Sequence, residues 1–341
     1  MSDEQRDDGK TAGQKGDPDK GDPDTTEDDD APIRGEIRLV DYRRVAHGLY
    51  VKKREGLTDE DEFRRDLRAW RLVLPESAVF THLTGARLLG WQLPKVPEQT
   101  PVFVAVDQKA TRPSRAGLVC SRLVREVCPF RGGDLPVEAP EEILLRAARD
   151  LGTLDLTIMI DSARRLGHVD ETKMKELLAT KRPGVRVLRG AWELSNKLAE
   201  SGGETVLRIF HEAMGVEVTV QVDLYDENGV HLGRADLLIN GTTWLQEYDG
   251  AHHRDKKQQR TDLRRDRGLA GTPYVRRGYT LDDLINHPLV AMHELDRLLD
   301  RPHDPSRLEH WRRLVDNSLY SVRGRERVLN RWRRQTTLRD W

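Results

Sequence analysis

Four carboxylates in the C-terminal half of the chain, Glu204, Asp236, Glu247 and Asp249, sit where strands and a helix could gather them. Asp236 lies inside the run VHLGRADLLI (230–239) and Glu247 inside TWLQEYDG (243–250). Two strands joined by a short hairpin set such side chains next to each other, and Asp249 follows Glu247 at i+2, on the same face. Glu204 opens the amphipathic segment GETVLRIFHEAMG (203–215). Carboxylates are hard oxygen donors suited to Mg²⁺ or Mn²⁺, which take one or two of them together with waters and phosphate oxygens. The chemistry to expect is metal-assisted hydrolysis of a phosphodiester, the cation supplying the nucleophile and stabilising the phosphate charge. Acids at strand ends are often merely solvated. Here Leu237, Leu238, Ile239, Trp244 and Leu245 mark buried strands, and a charge inserted into a buried run needs a reason. His253 is placed as a catalytic assistant, a general acid or base. His252, Arg265 and Arg276 are placed as phosphate contacts.

The elements around these residues follow from periodicity. The order from residue 203 to residue 300 reads α-β-β-β-α-β-α, with a hairpin at Glu227-Asn228-Gly229 and a charged helix over 255–270. A helix is predicted over 280–300. Upstream, residues 34–54 suggest a short ribbon turning at Gly48, followed by helices over 60–71 and 75–91. Residues 101–106 and 117–124 read as strands, and 139–152, 154–166, 170–180 and 185–197 as helices. The fold class is α+β. A C-terminal α/β domain with a mixed sheet over 201–300 is preceded by a region over 33–130 and a helical connector over 131–200. Residues 301–341 form a Trp- and Arg-rich tail, either lying on nucleic acid or packing back on the body.

In order, Glu204, Asp236, Glu247-Tyr248-Asp249-Gly250, His253, Arg264–Asp266 and Tyr274-Val275-Arg276 resemble a domain-of-unknown-function family related to very-short-patch-repair endonucleases. That family lies within the PD-(D/E)xK restriction-endonuclease-like superfamily, and the resemblance covers about residues 200–287. It implies that Asp236 and Glu247 bridge a metal and that Glu204 completes the shell. Asp249 stands where the superfamily pattern has Lys, leaving Lys256, His252 or His253 to substitute. The stretches VAHGLYV (45–51), AVFTHLTGARLLGW (78–91) and LPVEAPEEILLRAARDLG (135–152) resemble the N-terminal region of AbiEi-type antitoxins. That likeness implies a winged-helix-like DNA-binding region, although the usual leading helices are absent.

Composition sets the outer limits. Residues 1–30 carry 12 acidic and 4 basic side chains; the remaining 311 carry 46 and 53. The acidic segment 1–32 has no apolar period and cannot bury a core, and the mildly basic body is compatible with nucleic acid. No apolar run approaches the roughly 18–20 residues of a membrane helix, so no membrane partner is expected. Two cysteines, Cys120 and Cys128, make neither a disulfide framework nor a zinc site, which points to buried thiols in a cytoplasmic protein. The functional expectation is a Mg²⁺- or Mn²⁺-dependent DNA endonuclease of DNA repair or phage defence. The rival is a non-catalytic antitoxin-type repressor that keeps a degenerate nuclease fold. A toxin or a second copy of the chain are the protein partners these readings admit.

Overall fold

The computed structural model describes residues 30–37, 40–124, 130–250 and 269–336. Its first element is a three-stranded ribbon of β1 (Ile33–Arg34), β2 (Tyr42–Ala46) and β3 (Leu49–Lys52), in the order β1-β3-β2. Gly48 makes the turn at φ +67, a conformation glycine adopts without a Cβ clash. Helix α1 (Asp59–Arg71) opens on a capping box in which Thr58 and Asp61 each satisfy the other's backbone N–H. Its Leu67 and Trp70 are buried.

Next come β4 (Val79–Phe80), α2 (His82–Leu88), β5 (Val102–Val106), β6 (Leu118–Arg122), β7 (Phe130–Gly132) and β8 (Leu135–Val137). The five strands β4 to β8 form one mixed sheet in the order β6-β5-β4-β8-β7, with β5/β6 and β4/β8 parallel. The helix expected over 75–91 is therefore shorter. Val79 and Phe80 are drawn into the sheet between β5 and β8, and only the residues after Thr81 turn helical. The helices α3 (Pro140–Ala147), α4 (Thr153–Arg165), α5 (Glu171–Leu178) and α6 (Val185–Glu193) pack on one another, and α3 on α2. Phe80, Phe103, Val137, Ile143, Leu156 and Leu188 belong to a single core. The boundary expected at 130/131 falls inside the sheet, because β8 pairs with β4. The region expected to be winged-helix-like holds one ribbon, two helices and part of this sheet.

The second unit begins with α7 (Gly202–Ala213), capped by the Ser201 hydroxyl, which accepts the Glu204 N–H. Strands β9 (Val218–Tyr225) and β10 (His231–Ile239) form the expected hairpin, and Gly229 takes φ +77 in its turn. Strands β11 (Trp244–Tyr248) and β12 (Val275–Tyr279) complete a sheet in the order β12-β11-β10-β9. Only β11/β12 is parallel, so the chain must cross over between them. The charged helix expected over 255–270 lies outside the described residues.

The predicted helix over 280–300 is two helices, α8 (Leu281–Ile285) and α9 (Pro288–Leu298). Pro288 starts the second because its ring fits only the first turn of a helix. Residues expected as a tail fold into α10 (Leu308–Asp316) and α11 (Val322–Thr336). Trp311 is fully buried in the C-terminal core and donates to the Leu284 carbonyl at 2.8 Å. Trp332 is buried in the N-terminal core. Both rings are used in packing, the second of the two alternatives the sequence left open for this segment. With helices and mixed sheets in these runs the chain is α+β. Among the described residues no helix is long and apolar enough to cross a membrane.

Candidate active site

The strand registers put Asp236 and Glu247 in one row. Leu237 pairs with Gln246, which sets Asp236 opposite Glu247; Glu247 pairs with Gly278. On the other side, Val220 pairs with Leu237 and Val222 with Ala235, so Gln221 faces Asp236. A single line, Gln221–Asp236–Glu247–Gly278, thus crosses all four strands. Gln221 has φ +55, in the left-handed region that a non-glycine residue rarely enters. Such strain persists only where the surroundings over-determine it, and it clusters at functional sites.

The N-terminal turn of α7 brings Glu204 to this row. Its carboxylate accepts the Glu200 N–H and the Gln221 side-chain amide, each at 2.8 Å, on the same oxygen. Burial, together with the charge of Asp236, pushes the Glu204 carboxyl above the ordinary glutamate value, against the lowering effect of these N–H donors and of Ser201. Two like charges are therefore held close in a desolvated place, the arrangement that favours an added cation or proton. Asp236 accepts the Tyr248 N–H at 2.9 Å, which pins it to the end of β11.

Glu247 is buried, and Arg276 from the parallel neighbour β12 donates to it at 2.6 Å. The same guanidinium lies 3.9 Å from Asp249. Asp249 turns across β12. A Cβ added to Gly278 would stand 2.0 Å from an Asp249 carboxylate oxygen, so glycine is what makes room for it. A Cβ on Gly203 would stand 2.0 Å from Cε1 of Tyr248, so the close seating of α7 on the sheet also depends on a glycine. At the rim, Arg234 is paired with Glu200.

The structure thus gathers Glu204, Asp236 and Glu247 around one row, adds Asp249 at its mouth, and brings in Arg276 as an ion-pair partner of the acids. Arg276 was placed as a phosphate contact, and here it is engaged by Glu247 because the parallel register sets it two residues before Gly278, that carboxylate's own partner, on the same face. No group of three or more acids, histidines or cysteines among the described residues stands at metal-holding spacing. His252, His253 and Arg265 lie outside the described residues. Gln221 was missed by the sequence reading: nothing in VTVQVDLYD announces that one residue of a regular strand pattern will reverse its backbone. Cys120 is buried as expected, and burial raises its thiol pKa; Cys128 lies outside the described residues.

Comparison with protein-family models, curated proteins and solved structures finds nothing that matches this chain.

Proposed function

We propose that the second unit is a restriction-endonuclease-like domain that hydrolyses DNA phosphodiester bonds with the help of Mg²⁺ or Mn²⁺. One observation carries this reading: Glu204, whose carboxyl is raised by burial and by the charge of Asp236, stands over the row that also holds Asp236 and Glu247. The donor set is all carboxylate oxygen, which fits a hard divalent ion. Glu204, Asp236 and Glu247 would hold it. A divalent cation there neutralises the charge that builds on a phosphoryl group under attack. Asp236 is oriented by the Tyr248 N–H, and Glu204 by Gln221 and Glu200. Arg276 is the basic group beside Glu247, supplied by the neighbouring strand where the Lys of the superfamily pattern is replaced by Asp249. It is placed to meet a phosphate oxygen once Glu247 turns to the ion.

A second reading draws on the same arginine. The Arg276–Glu247 pair already satisfies one acid with no ion at all, which favours a DNA-binding repressor that retains a degenerate nuclease fold. Plasmid nicking in Mg²⁺ or Mn²⁺ separates the two. We expect cleavage by the wild type and its loss in both Asp236→Ala and Glu247→Ala. Cleavage unchanged in both variants would remove this site from the reaction. No cleavage by the wild type, with DNA still retained in a mobility-shift assay, would favour the repressor.

A further inference from the structure

A second polar site lies in the N-terminal unit, far in sequence from the acids, and stands independently of the reading above. Where α2, the sheet, the end of α3 and α11 meet, a cavity of about 90 Å³ is lined by His82, Ser121, Arg146, Arg149, Asp150 and Arg331. That volume exceeds the roughly 10–15 Å³ that admits a single water, and suits one compact ion.

His82 is buried, with φ +52. A bulky side chain rarely enters that left-handed region, and such strain persists only where the surroundings over-determine it. Its Nδ1 accepts the Leu83 N–H at 2.8 Å, so the ring proton belongs on Nε2. Nε2 lies 3.2 Å from Asp150 yet makes no hydrogen bond of acceptable geometry. The ring is stacked on Phe103 at 4.0 Å, so it cannot swing away to find another partner. A buried N–H donor is therefore held at the wall of the cavity, with the Asp150 carboxylate beside it but out of line.

The charges around it do not balance. Asp150 is taken up by the Trp332 indole N–H at 2.8 Å and by Arg331 at 2.5 Å. Arg146 is paired with Glu138, which lies behind the cavity. Arg149 makes no ion pair among the described residues and donates only to the Pro183 carbonyl at 3.3 Å. Burial, and then its neighbours Arg146 and Arg182, push the Arg149 pKa below its ordinary value, against the opposing pull of Glu142 and Asp150. A clamp that only tied α11 to the sheet would need Trp332 and Arg331. It would need neither a strained histidine nor an arginine that makes no ion pair among the described residues.

We propose that this cavity binds a compact tetrahedral oxyanion, a phosphate or the terminal phosphate of a nucleic-acid strand, with Arg149, the His82 Nε2–H and the Ser121 hydroxyl as its donors. Charge-assisted contacts of this kind account for strong phosphate binding where a rigid N–H donor and a guanidinium converge.

Calorimetric titration of the full chain with inorganic phosphate, against chloride at equal ionic strength, tests the site. We expect saturable binding of phosphate and none of chloride. Loss of one charge-assisted contact in Arg149→Gln should weaken binding about tenfold or more, with the unfolding midpoint in chloride unchanged. His82→Gly should relieve the backbone strain and also weaken binding. Asp236→Ala should leave the titration as it is, which separates this site from the acidic row. Competition then identifies the source. If an oligonucleotide with a 5′-phosphate displaces the ion and its 5′-hydroxyl counterpart does not, a strand end is the ligand. If neither displaces it, free phosphate is. Phosphate heats no different from chloride, or wild-type affinity in Arg149→Gln, would overturn the proposal.

Discussion

Two buried glutamates, Glu138 at the N-terminal sheet and Glu204 at the C-terminal one, are held in opposite ways, while Glu247 of the second sheet has a guanidinium partner as Glu138 does. In the N-terminal sheet, Glu138 is almost fully buried and is closed off by Arg146, which grips both of its oxygens, and by the Thr81 hydroxyl. Asp150 likewise receives an indole and a guanidinium. At the C-terminal sheet, Glu204 accepts the neutral N–H groups of Glu200 and Gln221 and feels the like charge of Asp236. A buried charge matched by a guanidinium belongs to the architecture. A buried acid beside a second acid is a standing electrostatic cost, which a fold retains when something else is to bind there. The same pH-7 charge on the same residue type thus reads as scaffold in one sheet and as site in the other.

The largest expected effect comes from opening the matched pair. Arg146→Met leaves Glu138 charged and buried, and should lower the unfolding free energy in urea by about 3–5 kcal/mol. Adding Glu138→Leu should recover most of that loss, since the penalty belongs to the stranded charge. A single-variant loss no bigger than that of a surface pair would erase the contrast between the sheets.

Seating of α7 over the acidic row is the next point to break. Gly203→Ala forces a methyl against the Tyr248 ring and should destabilise by about 1–3 kcal/mol in the same assay. Gly190→Ala, in α6, is the control. An added Cβ there meets nothing within 4 Å, and the fold should gain up to about 1 kcal/mol from helix propensity. Equal effects in the two variants would show that the close approach of α7 is not needed.

The smallest effect should have the opposite sign. A carboxyl whose pKa rises on folding weakens the fold as pH climbs from its ordinary value of 4.5 toward the raised one. Glu204→Gln removes that charge while keeping an acceptor for Gln221 and the Glu200 N–H. Its unfolding midpoint should exceed the wild type's at neutral pH, by about 1 kcal/mol or less, with the gain fading as pH falls through 4.5. Added Mg²⁺ should raise the midpoint of the wild type and not of this variant. A destabilised Glu204→Gln at neutral pH would place Glu204 with the matched acids of the other sheet.

Much of this arrangement was legible from residue types. Glu204 at the opening of an amphipathic segment, Asn228-Gly229 between two alternating runs, and the eleven-residue step from Asp236 to Glu247 all name local structures that short-range sterics and hydrogen bonds enforce. The tail was less legible. Its two tryptophans carry no mark that sends Trp311 into one core and Trp332 into the other. Nor does FTHLT announce that Val79 and Phe80 will leave a helical pattern for a sheet. That choice follows from the partners β5 and β8 offer, one of them more than 50 residues away.

The chain's local chemistry, read alone, determined which strands and helices carry the acids, because capping, turn geometry and apolar period act over a few residues. Only the tertiary structure decided which charges meet. The parallel register of β11 and β12 sets Arg276 on Glu247, the reversed backbone of Gln221 turns its amide to Glu204, and α11 closes over Asp150 from the far end of the chain. Whether a buried charge is matched depends on atoms brought together by long-range packing. Coulomb energy in a desolvated interior is set by those few ångströms, not by distance along the chain.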